Sequence, residues 1–165
     1  GEVRTVNHPD QLSQSYAAIL PALKDLGYRA DVKANIDDER FIVTVGGKPT
    51  VRVYSDGGWK RDDGPEGNNP GELLRFYRHE HYLEALKHWE TGNWRGIARD
   101  LLIDSGIRMG AVLSAEQAGS HLDVEYRPFS GLAETIRFNR VQTKTVNMLK
   151  RLEKDSRIPD LEAAT

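Results

Sequence analysis

A chain of 165 residues, 38% hydrophobic and 29% charged, has enough material to bury a core, and no apolar run approaches the roughly 18 residues that a membrane span needs. The absence of cysteine excludes disulfides, thiolate metal sites and thiol nucleophiles, and it fits a reducing, cytoplasmic setting. A formal net charge of −2 excludes attachment to nucleic acid by bulk charge, so any basic site has to be local.

The chain opens on Gly1-Glu2-Val3, with neither an initiator Met nor a signal-peptide core, and reads as the edge of a fragment of a longer parent chain. Asn7 and Pro9 form a cap and a first-turn proline, after which Leu12, Tyr16, Ile19, Leu20 and Leu23 recur at helical spacing as far as Gly27. Pro21 interrupts that pattern by removing a donor and crowding the preceding turn, which predicts a kink or a second helix start. From Tyr28 the period becomes two, with Tyr28, Ala30, Val32, Ala34 and Ile36 on one face and Arg29, Asp31, Lys33 and Asn35 on the other. Turns at Asp37-Asp38 and Gly46-Gly47-Lys48-Pro49 then divide strands over 40–45 and 50–55, giving a three-stranded antiparallel meander beneath the first helix.

Ser55 to Gly71 is rich in glycine and charge and far longer than the usual connection of about 4–6 residues, so it reads as a working loop or a disordered one. Asn69-Pro70-Gly71-Glu72 predicts a capped helix running to Thr91, with Tyr82, Leu86 and Trp89 on one side and Glu80, His81, Glu84, Lys87 and His88 on the other. Gly92-Asn93 caps a shorter helix whose Trp94, Ile97, Ala98, Leu101 and Leu102 face a core, ending at Ser105-Gly106. Ile107, Met109, Ala111 and Leu113 alternate, as do Leu122, Val124 and Tyr126, and 132–138 reads as a third strand of a second small sheet. Asn139 with Gln142 forms a variant capping box for a last helix, whose Val141, Met148, Leu149 and Leu152 share a face with Phe138.

The fold class that follows is α+β: an N-terminal helix packed on a three-stranded antiparallel meander, then helices, a second small antiparallel sheet and a C-terminal helix. The chain is expected to form a single domain over 1–155, divisible into subdomains 1–68 and 69–155, with a tail over 156–165.

Three patterns carry candidate chemistry. Arg140, Lys144, Arg151 and Lys154, with Asn147 and Lys150 beside them, form a basic face on the last helix, suited to phosphate contacts or simply a solvated surface. Trp59-Lys60-Arg61 places an aromatic next to two cations, able to stack a base and hold its phosphate, or to plug the core. His81, Glu84 and His88 share a helical face and are weak candidates for a zinc-like ion, without a His-Glu-x-x-His pattern. Gly46-Gly47-Lys48-Pro49-Thr50 fails as a P-loop, because the upstream glycine is missing and proline replaces the hydroxyl residue after lysine.

No cofactor motif is complete. The sequence therefore points to a non-catalytic nucleic-acid-binding or processing-accessory domain whose partner is DNA or RNA. A protein-interaction domain of a larger assembly or parent chain is the alternative, and a metal-dependent hydrolase or nuclease the third reading.

Overall fold

The computed structural model describes residues 9–35, 40–129 and 131–157. The expected Asn7 cap, the strand end at Ile36, the Asp37-Asp38 turn and residues 158–165 of the tail lie outside them. The architecture is α+β, with two antiparallel sheets and helices before, between and after them. No helix among the described residues is long and apolar enough to cross a membrane. Two compact units are present, covering residues up to Tyr77 and from Arg78 onward among those described, and their boundary falls within one long helix.

The first unit begins with α1 (Pro9–Ala17) and α2 (Leu20–Asp25), where Pro21 sits in the first turn of a second helix. The second start expected at this proline is what forms, since a missing N–H costs nothing where no intrahelical partner exists. Strands β1 (Ala30–Asn35), β2 (Arg40–Val45) and β3 (Val51–Val53) pair in sequence, with Ala30 opposite Val45 and Phe41 opposite Val53. The meander does not stop there. The segment expected to be a loop adds β4 (Trp59–Arg61) and β5 (Glu66–Gly67), so the sheet has five strands in the order β1-β2-β3-β4-β5.

This correction has a clear cause. Val53 pairs with Trp59 and Val51 with Arg61, which places Trp59 on the core face with only 3% of its surface exposed. The indole Nε1 donates to the Asn69 carbonyl at 3.1 Å, and its ring packs 5.8 Å from that of Phe76. The ring also passes so close to Gly67 that a Cβ there would lie 2.6 Å from it. Tyr16, fully buried, donates its hydroxyl to the Gly57 carbonyl at 2.6 Å and ties the neighbouring turn to α1.

Helix α3 (Pro70–Glu90) starts as expected, with Asn69 Oδ1 accepting the Glu72 N–H at 2.9 Å, while Glu72 reaches back to the Asn68 N–H at 3.1 Å. The core of the first unit gathers Tyr16, Leu23, Val43, Val51, Val53, Trp59, Leu73 and Tyr77.

The second unit continues α3 and adds α4 (Trp94–Asp104), β6 (Met109–Ala118), β7 (His121–Pro128), β8 (Glu134–Phe138) and α5 (Val141–Arg157), with the three strands paired in order. Ile97, Leu102, Leu122, Val124, Val141 and Met148 are central to its core. The simple alternation expected through Ala111 and Leu113 breaks here. Register shifts between Met109 and Ala111 and between Val112 and Ser114 expose Ala111 and turn Val112 inward. The expected Asn139 cap is also displaced. The helix begins at Val141, the Arg140 carbonyl accepts the Lys144 N–H at 2.9 Å, and Gln142 reaches toward Gly119 instead of back to Asn139. Helix α5 extends to Arg157, with Ser156 buried, into the first two residues of the segment expected as a tail.

Replacing Trp59 with Ala removes the plug between sheet and helix and should cost about 3–5 kcal/mol, read as a lower urea midpoint. A loss below about 1 kcal/mol would show that the indole does not hold this segment together.

Candidate functional site

The expected basic face is realised along α5. Arg140, Lys144, Arg151 and Lys154 are all exposed, as are Asn147 and Lys150, while Val141, Thr145, Met148 and Leu149 are buried on the other side. With a rise of about 1.5 Å per residue, the row from Arg140 to Lys154 extends roughly 21 Å. Arg140, Lys150 and Lys154 have no ion-pair partner among the described residues. Arg151 pairs with Asp104 yet keeps 56% of its side chain exposed. The Lys144 ammonium lies 5.9 Å from the centre of the Phe138 ring.

Arg140 occupies an unusual position. Its φ of 52° makes it the one non-glycine residue with positive φ among those described. The constraint comes from the β6–β7 turn, because the Val141 N–H donates to the Ser120 carbonyl at 2.8 Å and fixes where the helix starts. The guanidinium is thereby carried at the head of the basic row.

The outer face of the second sheet has the opposite character. Glu116 stands across from Asp123, and Ser114 across from Glu125, on the surface facing away from Val124 and Leu122. Arg137 grips Asp123 with two contacts of 2.7 and 3.1 Å, which hold the Asp123 carboxyl below the usual carboxylate range.

Of the two expectations for Trp59-Lys60-Arg61, a base-stacking cluster or a core plug, the plug is what forms. Trp59 is enclosed as described, and Arg61 is buried with its guanidinium 4.8 Å from the Phe76 ring centre and two contacts of 2.7 and 2.8 Å to Asp63. Lys60 alone faces solvent, as alternation in a three-residue strand requires. Neither face of the indole is available to stack a base. The acidic residues nearby are used locally: Asp56 accepts the Gly58 N–H at 2.9 Å, and Asp62 pairs with Arg52 at 2.9 Å.

His81, Glu84 and His88 are not brought together as a ligand set, and no group of three His, Asp or Glu side chains able to hold a metal occurs among the described residues. His81 is buried, and His88 turns toward α4, where its Nδ1 lies 2.7 Å from Asp100 Oδ2. This pair was not legible in the sequence. Asp100 is 3% exposed, and burial, opposed by its bond to His88, raises its carboxyl to about 6. The imidazole lies against Gly96, where an added Cβ would stand 2.5 Å from ring carbons and 2.8 Å from Nδ1. Asn93 caps α4 by accepting the Gly96 N–H at 3.0 Å, and Arg95 Nη2 donates to the Val112 carbonyl at 2.7 Å. The cleft beside this pair has a volume of about 510 Å³ and is lined by Lys87, His88, Arg95 and Arg99, with Glu84 at its side.

No protein-family model, curated protein or solved structure matches the chain.

Two outcomes follow from the His88–Asp100 pair. Gly96→Ala should lower stability in a urea titration by about 1–3 kcal/mol, although alanine is intrinsically preferred to glycine in a helix by about 1 kcal/mol. An increase in stability would contradict the close approach of the ring.

The second concerns pH. Because the Asp100 carboxyl rises from 3.8 to about 6 on folding, its contribution to stability is fully present below 3.8 and lost as pH rises through about 6. The stability of the native chain relative to Asp100→Asn should therefore increase on acidification across that window, by an amount on the order of 3 kcal/mol. A difference that does not vary with pH would contradict it.

Proposed function

We propose that this chain is a non-catalytic nucleic-acid-binding module that contacts the phosphate backbone through the basic face of α5. The observation that carries the reading is the exposed row of Arg140, Lys144, Lys150 and Lys154, joined by the half-committed Arg151. Cations of a merely solvated helix face need no common alignment, whereas a row of this length matches several successive phosphates. The acidic outer surface of β6 and β7 would repel the same ligand and so restricts contact to the helix.

The chemistry of the row favours duplex over single strand. Single strands are held by aromatic platforms interleaved with cations, and no aromatic side chain lies on the exposed face of α5, while Trp59 is buried. Shape and backbone contacts, without base readout, are what such a helix offers.

A second reading rests on a separate observation. Phe129 and Leu132, in the connection between β7 and β8, are 63% and 89% exposed, an apolar pair suited to a protein partner. The metal-dependent hydrolase reading finds no group of three donor side chains among the described residues.

Fluorescence anisotropy of labelled duplexes, against single strands of the same sequence, tests the reading. The logarithm of the binding constant should fall linearly with the logarithm of salt, with a slope of roughly −0.9 for each phosphate neutralised. The triple variant K144E/K150E/K154E should lose binding and flatten that slope. Salt-insensitive binding, or affinity unchanged in the triple variant, would contradict the reading.

A further inference from the structure

The hollow beside His88 is furnished differently from the basic row of α5. Its lining brings Lys87 of α3 and Arg95 and Arg99 of α4 around one imidazole, against the single lining carboxylate of Glu84. Asp100 is the buried partner behind the ring, where it engages Nδ1 at 2.7 Å. A carboxylate only accepts, so Nδ1 carries the proton in that bond, and Nε2 is left with no partner among the described residues. Nε2 donates only when the ring carries a second proton, so donation to a ligand requires the imidazolium form.

The remaining walls narrow the ligand. Among the described residues that line the cleft, Val112 is the one with a hydrocarbon side chain and none is Phe, Tyr or Trp, so the charged and polar ends of the others set what it recognises. Guanidinium, ammonium and imidazole groups together suit an anion with several acceptor oxygens and more than one charge. A volume of about 510 Å³ leaves room for such a group with the body of its carrier outside the charged end.

We infer that this cleft binds the terminal phosphate of a phosphate monoester, with His88 donating from Nε2 and Lys87, Arg95 and Arg99 neutralising the dianion. The carrier is either a small phosphorylated metabolite or the phosphorylated end of a nucleic-acid strand, which share this chemistry. The site is separate in its residues from the α5 row, and its occupancy does not depend on that row binding a backbone.

Isothermal titration calorimetry of the full chain provides the test, with inorganic phosphate, a nucleoside 5′-monophosphate, and one oligonucleotide carrying either a 5′-phosphate or a 5′-hydroxyl. Inorganic phosphate and the monophosphate should compete for one site. Lys87→Gln and Arg99→Gln, each at a position with solvent access, should weaken that site about tenfold, the loss of one charge-assisted contact. K144E/K150E/K154E should leave the monophosphate affinity unchanged, which separates this site from the backbone-binding helix. Tighter binding of the phosphorylated strand than of the hydroxyl strand identifies a strand end as the source; equal strand binding with a competing monophosphate identifies the small molecule. Absence of heat with both phosphate and monophosphate at millimolar concentration, or full affinity in both cleft variants, would overturn the inference.

Discussion

The buried carboxylate of Asp100 imposes the strictest condition on the second unit. A charged oxygen withdrawn from water must be hydrogen-bonded or neutralised, and the His88 imidazole 2.7 Å away supplies that bond. Bringing the two helices within reach requires the ring to lie directly against α4, and Gly96 is the residue that permits it. A glycine near the start of a helix is normally a weakness. Here the missing side chain is the condition for a cross-helix bond, and the same closeness carries Lys87, Arg95 and Arg99 to one cleft.

The first unit follows a parallel logic with an apolar group. Trp59 enters between sheet and helix because Gly67 yields space for its ring and the Asn69 carbonyl satisfies its N–H. The glycines and turn residues of 55–71, which suggest looseness in the sequence, instead let two short strands extend the meander around one indole. Asp56, Asp62 and Asp63 are consumed in holding that geometry through Gly58, Arg52 and Arg61.

Period and capping made the longer elements readable. The two-residue alternation from Tyr28, the Asn69 cap of α3, the Asn93 cap of α4 and the amphipathic face of α5 all express local rules that act within a few residues. What escaped the sequence depends on distant partners. A three-residue strand such as 59–61 has too little length to show a period, and its burial is decided by pairing with Val51 and Val53. The bulged register of β6 reverses which residues face inward, and nothing in the alternation of Met109 to Leu113 marks it. The Val141 start of α5 is set by Ser120, twenty-one residues earlier in the numbering. His88 and Asp100 sit on separate helices, so helical spacing on α3 alone suggested a ligand face where the structure builds a hydrogen-bonded pair. The Asn93-x-x-Gly96 start was the one sequence signal near that site, and it reads as an ordinary cap. Charge shows the same limit: a near-neutral total conceals a basic helix and an acidic sheet surface within one unit.

The orientation of His88 by Asp100 is the premise on which the second unit's cleft chemistry stands. A long-range proton–nitrogen correlation of the histidine rings in ¹⁵N-labelled protein, with His88 assigned from His88→Gln, measures it directly under alkaline conditions. In the ligand-free protein the expected result is a single neutral tautomer with the proton on Nδ1 and a bare Nε2, which takes up its own proton only when it donates to a ligand. A ring protonated on Nε2, or one averaging between both tautomers as a free imidazole does, would show that Asp100 does not hold it.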